Sequence, residues 1–165
     1  MPDTKKKVAH FTSPYLQPTE TFIYERITNH EAYEPFVLTS EAPVNLDLFP
    51  FGPIYSLAEL PPAYRKLHNA VRRISGALPF FIETVNREKP AVLHAHYGPV
   101  GAAVLPVSIK TGVPLVTSFY GIDASAFLGQ RKYIAPFGKL WRNCALISAL
   151  SEDMKKVLAG AGCPE

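Results

Sequence analysis

At 165 residues and 47% hydrophobic content, the chain is long enough for one domain with a full core and too short for two, so residues 1–165 are read as a single domain. A net charge of +3, with 17 lysines and arginines spread over several segments, argues against nucleic acid as a partner and suits an anionic small molecule or an acidic membrane surface. Cys144 and Cys163 lack the spacing of a zinc site or a disulfide framework, and there is neither a signal sequence nor a run of about 18 apolar residues, so the expected location is cytoplasmic.

In chain order, "KVAHFT" (7–12) predicts a short buried strand. "TETFIYERITNH" (19–30) predicts a helix with Thr19 as N-cap and Glu20 in its first turn, and "EPFVLTS" (34–40) a second strand. The proline-rich stretch 41–62 has room only for a short strand at Ile54–Ser56. Tyr64, Leu67, Val71 and Ile74 then recur at helical spacing, with Arg65, Lys66, Arg72 and Arg73 on other faces. Those cations read either as a solvated face or as a docking surface for an anionic membrane. Gly76 ends that helix, and Leu78, Phe81, Ile82 and Val85 mark the next, with Pro79 near its first turn.

"AVLHA" (91–95) predicts a strand, 99–112 a helix apolar on nearly all sides and closed by Gly112, and 114–119 another strand. Tyr133, Phe137, Leu140 and Trp141 form a helical stripe, 145–150 reads as a strand, and Ser151 caps a last helix carrying Met154, Val157, Leu158 and Ala161. Continuous apolar strands joined by helical crossovers specify an α/β fold, a Rossmann-like open parallel sheet with helices on both faces.

In such a sheet, ligands bind beyond the carboxyl ends of the strands. "VLHAHYGPVG" (92–101) places His94 and His96 on one face of a strand, with His96 expected at the crevice beside Tyr97 and Gly98, and His94 expected as a satisfied core histidine. No carboxylate or cysteine spacing completes a coordination shell around the pair, so no metal is expected. "TSFYGIDAS" (117–125) repeats the layout: Gly121 allows a close turn, Tyr120 offers a hydroxyl, and Asp123 either accepts from sugar hydroxyls or caps the turn. The loop "SPYLQPTETF" has neither Gly-x-Gly-x-x-Gly nor a P-loop, which disfavours a nicotinamide or flavin cofactor; Thr19, Glu20 and Thr21 form a polar helix start suited to hydroxyls.

"AVLHAHYGPVGAAVLPVSIKTGVPLVTSFYGIDAS" closely resembles the His-x-His and Thr-Phe-His-Gly-x-Asp stretches in the N-terminal half of family-4 glycosyltransferases of the GT-B fold. "PTETFIYERI" is similar to the Ser-Glu-Thr-Phe-Ile segment of members that build bacterial exopolysaccharide and colanic-acid-like polymers, and "LISALSEDMKKVL" to the strand-Ser-Glu-helix that follows. The resemblance implies transfer of a sugar from a nucleotide diphosphate sugar to a glycan or lipid-linked acceptor, usually with retention and without a bound metal. It implies an acceptor cleft lined by His96, Tyr97, Gly98, Tyr120, Gly121 and Asp123 and closed by Thr19, Glu20 and Thr21. Tyr120 stands where the family most often has histidine, and the first loop lacks a Gly-Gly pair.

In that family a second, C-terminal domain binds the nucleotide sugar, and this chain has no counterpart to it. The expectations are therefore an isolated domain that binds no cofactor, is inactive alone, needs the C-terminal nucleotide-sugar domain as partner, and touches the inner membrane face peripherally. A self-sufficient, non-catalytic carbohydrate- or anion-binding domain is the alternative.

Overall fold

Side chains alternate across a strand, and in this sheet the two parities lead to different surroundings. The computed structural model describes residues 5–164; residues 1–4 and 165, the ends of the expected domain, lie outside the described residues. The strands are β1 (Lys6–Phe11), β2 (Tyr33–Thr39), β3 (Ile54–Ser56), β4 (Val92–His96), β5 (Leu115–Ser118) and β6 (Leu146–Ser148). The helices are α1 (Thr21–Thr28), α2 (Pro62–Ser75), α3 (Pro79–Glu88), α4 (Gly98–Thr111), α5 (Arg131–Asn143) and α6 (Glu152–Gly160), with a 3-10 turn at Leu57–Glu59. All pairs are parallel and the order is β3-β2-β1-β4-β5-β6, the arrangement of a Rossmann-like sheet. The chain starts at the centre, runs out to β3 and returns to continue from β4, so the topological switch lies between β1 and β4.

One parity is apolar. Ala9, Phe11, Phe36, Leu38, Leu93, Ala95 and Leu115 pack with Phe81 and Val85 of α3, Val104, Leu105 and Val107 of α4, Phe137, Leu140 and Trp141 of α5, and Leu158 of α6. Burying each larger side chain contributes about 1.5–3 kcal/mol. Helix α4 meets this sheet face and also α3 and α5, which is why its sequence is apolar on nearly every side. Its approach to β5 requires glycine: a Cβ on Gly101 would lie 2.4 Å from Thr117 Oγ1, and one on Gly98 would lie 2.3 Å from the Phe119 ring.

The other parity carries Val8, His10, Val37, His94, His96 and Ser118. Register places His10 opposite His94, and His96 opposite Ser118. Ile23 and Ile27 of α1 pack there with Val37, Tyr15, Leu16 and Phe49.

Two details differ from the sequence reading. Thr19 is not the α1 cap: Glu20 occupies that position, with a side chain that bonds no helix amide, because it is engaged elsewhere. The apolar spacing of α2 does give a helix, with Tyr64 and Leu67 59% exposed and Ile74 91%, while His68 is its buried residue. Periodicity shows that a helix has two faces but not which one a neighbour covers. Finally, β6 is shorter than expected, an edge strand with Leu146 exposed. Ser151 does cap α6, accepting from the Met154 N–H at 3.2 Å.

Candidate functional site

β4 ends at His96, and the chain turns at once into α4 through Tyr97. Tyr97 sits at φ 76°, a left-handed conformation that costs a non-glycine residue about 1–3 kcal/mol. Bonds on three sides hold it: its N–H donates to the Ser118 carbonyl at 2.9 Å, its carbonyl accepts from Gly101 N–H at 3.0 Å, and its hydroxyl donates to Glu20 Oε1 at 2.8 Å. Burial, then the Glu20 carboxylate, push the phenol's pKa up, so the hydroxyl keeps its proton. Glu20 Oε2 accepts from the Gln17 N–H at 2.7 Å, which ties the first loop to the start of α4.

Asp123 joins the same corner from the loop after β5. It is fully buried, its Oδ2 accepts from Gly98 N–H at 2.8 Å, and its Oδ1 accepts from the N–H groups of Tyr120 at 2.9 Å and Gly121 at 3.0 Å. Both oxygens are thus occupied by backbone donors, among them the leading amide of α4. Of the two roles expected from sequence, the structure assigns the cap, and Asp123 offers no oxygen to a sugar hydroxyl.

The histidines form a continuous chain. His96 Nδ1 meets the Tyr120 hydroxyl at 2.7 Å, His96 Nε2 meets His10 Nδ1 at 3.0 Å, and His10 Nε2 meets His30 Nε2 at 2.9 Å. Beside it, His94 Nε2 meets Ser118 Oγ at 2.8 Å. His10 and His96 are fully buried and lie in nearly parallel planes, 16° apart. Burial first, then the neighbouring histidines, hold both far below the ordinary imidazole pKa. His94 is lowered to about 4 by burial, with the Arg26 cation second, and burial lowers His30 as well. At neutral pH all four rings are uncharged.

The expected order of exposure within the pair is reversed. His96 is buried, whereas His94 is part-exposed and lines a cavity of about 740 Å³ with Phe22, Glu25, Arg26, Asn29, His30, Tyr120 and Leu150. The reason is Tyr120, whose ring lies parallel to His96 and covers it at a centroid distance of 5.9 Å. His96, Tyr97, Gly98, Tyr120, Gly121, Asp123 and Glu20 are therefore linked in one network, while Thr19 and Thr21 flank it on the exposed turn. Sequence reasoning missed His10, His30, Arg26 and Ser118. His10 has the strand parity of His94, but that signal becomes legible only once β1 is known to pair with β4.

The cavity wall suits a hydroxyl-bearing ligand. Neutral His30 and His94 can donate or accept, the Phe22 and Tyr120 rings lie 4.9 Å apart, and Arg26 supplies a cation with no ion pair among the described residues. His10, His94 and His96 also form a trio whose possible metal-binding atoms lie within 4.8 Å of one another. Of these rings, His10 Nδ1 and His96 Nε2 face each other and His94 Nε2 faces Ser118 Oγ. No described helix is long and apolar enough to cross a membrane.

Comparison with known proteins gives one family. The model of Glycosyltransferase Family 4 matches residues 28–165. Among solved structures, a putative UDP-N-acetylglucosamine 2-epimerase from Listeria monocytogenes superposes with a TM-score of 0.65 at 13% identity, covering 98% of this chain and 44% of that one. An S. aureus MnaA–UDP co-structure gives a TM-score of 0.63 at 13% identity, covering 95% of this chain and 41% of that one. The chain thus spans less than half the length of either and shares their fold. No curated protein sequence matches it significantly.

Proposed function

Since this chain belongs to Glycosyltransferase Family 4, we propose that it is the acceptor-side domain of a retaining transferase that moves a sugar from a nucleotide diphosphate sugar to a hydroxyl of a glycan or lipid-linked acceptor. The observation that carries this reading is the cavity at the switch side of the sheet, where uncharged histidines, a phenol and an aromatic ring meet one free guanidinium. Hydroxyls fit the first groups, stacking fits the ring, and Arg26 fits the phosphate of a lipid-linked acceptor.

The domain's contribution is placement. Asp123 and Glu20 fix the two loops and the start of α4, so that Tyr120 and His94 stand on a rigid wall, and holding an acceptor hydroxyl in attack geometry removes much of the entropic barrier. Departure of the diphosphate needs positive charge where negative charge develops, and in this reading a nucleotide-sugar domain supplies it. The test is release of UDP or GDP from UDP- and GDP-hexoses, with a glycan and polyprenol-lipid extract as acceptor. The expected result is no protein-dependent release by residues 1–165 and turnover once a nucleotide-sugar domain is joined to them; turnover by residues 1–165 alone contradicts the division of labour.

A lipid-linked acceptor brings the enzyme to a membrane surface, and α2 is suited to that contact. It carries Arg65, Lys66, Arg72 and Arg73, no acid, and the exposed Tyr64, Leu67 and Ile74. Each cation near an anionic bilayer contributes about 1 kcal/mol. Co-sedimentation with phosphatidylglycerol-containing vesicles and not with phosphatidylcholine vesicles is expected, and equal recovery with both removes the membrane contact.

A further inference from the structure

We propose that Tyr120, His96, His10 and His30 form a proton relay, which takes a proton from a hydroxyl bound in the cavity at Tyr120 and stores it at His30. The proposal rests on the reading of the cavity as an acceptor site and adds a route for the proton that glycosyl transfer must remove. Both ends of the chain, Tyr120 and His30, line the same cavity, while the two middle rings are sealed from solvent.

The relay requires one polarity, which begins at its far end with the His30 proton on Nδ1, away from His10. His30 Nε2 is then an acceptor and takes the Nε2–H of His10. His10 Nδ1 is in turn an acceptor and takes the Nε2–H of His96, whose Nδ1 accepts the Tyr120 hydroxyl proton. Both ring nitrogens of His96 and of His10 have one partner, His30 Nε2 faces His10, and no ring needs a charge. In this order the Tyr120 proton is directed inward, so the oxygen meets any other partner as an acceptor.

When a bound hydroxyl gives its proton to Tyr120 Oη, Tyr120 passes its own to His96 Nδ1. His96 then passes its Nε2 proton to His10 Nδ1, and His10 its Nε2 proton to His30 Nε2. One O–H bond breaks at the acceptor and one N–H bond forms at His30, while each residue between gives one proton and takes one, His96 and His10 changing tautomer as they do so. The new imidazolium sits at the part-exposed end of the relay, whose two middle rings are buried. The resting order returns when the proton runs back through Tyr120 to the leaving diphosphate, which balances the transfer.

The charged and titratable groups facing the chain are consistent with a path that stores charge only briefly. Arg26 of α1 opposes a cation on His94 and His96, His94 of β4 opposes one on His10 and His96, and burial, Asp123 and Glu20 oppose a tyrosinate at Tyr120 that Ser118 and Arg26 favour. Glu25, on the cavity wall beside His30, is the one acid of that wall.

The experiment is NMR of the imidazole nitrogens and their protons in this protein at pH 7, with water as the exchange partner. The expected result is four neutral rings, with protons on Nε2 of His96 and His10 and on Nδ1 of His30. The two buried ring protons are expected to exchange with water about tenfold more slowly in the double variant H30Q/Y120F, whose side chains keep the volume but cannot pass a proton on. Unchanged protection of the Ala9 and Ala95 amides reports an intact sheet, and H30Q alone, at the part-exposed end, serves if the double variant does not fold. The opposite tautomers, or ring-proton exchange that neither variant slows, overturns the relay. Because no donor or acceptor is used, that failure leaves the transferase reading standing. Conversely, absence of transfer in the UDP/GDP release assay overturns the transferase reading while the relay chemistry stands.

Discussion

The sheet face bearing Ala9, Phe11, Leu93, Ala95 and Leu115 is closed by α3, α4 and α5, whereas the face bearing His10, His94, His96 and Ser118 is closed over β1 and β2 by α1 and opens beyond them onto a cavity. Both bury their central residues, but by different physics. The apolar face is held by area and close packing, which need no particular protonation state. The histidine face holds together only while its rings are neutral and each nitrogen has its partner, a condition that apolar residues of the same volume would not impose. Polar groups kept in a core at that cost are the reason we place the proposed acceptor site on this face.

Acid is the strongest way to separate the two faces. His10, His94 and His96 have native pKa values depressed below 6.5, so the unfolded chain binds more protons than the native one as the pH falls below that value. Stability is therefore complete above pH 6.5 and is lost as the pH falls toward 4. The loss steepens to about 4 kcal/mol per pH unit if all three rings charge on unfolding. Glu88, held at about 2 by Lys7, Arg87 and Tyr55 beyond the far end of the sheet, gives up its contribution only below pH 4.5. Urea midpoints that fall between pH 6.5 and 4.5 locate the loss on the histidine face, and flat midpoints over that range remove the contrast.

The apolar face breaks by volume instead. Gly98→Ala forces a methyl group to 2.3 Å from the Phe119 ring and 3.1 Å from Phe137, with an expected loss of about 3 kcal/mol by thermal unfolding, independent of pH. Asp123→Asn is expected to cost about 1–3 kcal/mol, because the amide oxygen accepts on one side while its NH2 faces a buried backbone N–H on the other. Measured at pH 7, these two changes rank packing against capping at the same corner.

Much of this was legible in the sequence, and the limits have physical causes. The three-residue β3 was placed at Ile54–Ser56 because proline confined the surrounding segment, and the sheet class followed from apolar strands joined by helices. The corner residues from His96 to Asp123 were found because they follow strand ends. The histidine chain was not found, since its members lie 20 to 86 positions apart along the sequence and meet through strand pairing and the return of α1. The exposure of His94 and His96 came out inverted because strand position says nothing of Tyr120 folding over the end of β4. The α2 helix was read from its spacing, which is the same for a face turned inward or outward and so left the exposure of Tyr64, Leu67 and Ile74 undetermined.

The most direct test of the cavity as the acceptor site is steady-state transfer by an enzyme that joins this domain to a nucleotide-sugar domain, comparing wild type with His94→Ala and Arg26→Ala. Thermal unfolding would check that each variant is folded. The expected result is an acceptor KM raised roughly tenfold, the size of one lost hydrogen bond of about 1.4 kcal/mol, with donor KM unchanged. An unchanged acceptor KM in both folded variants would contradict the assignment of the acceptor to the histidine face.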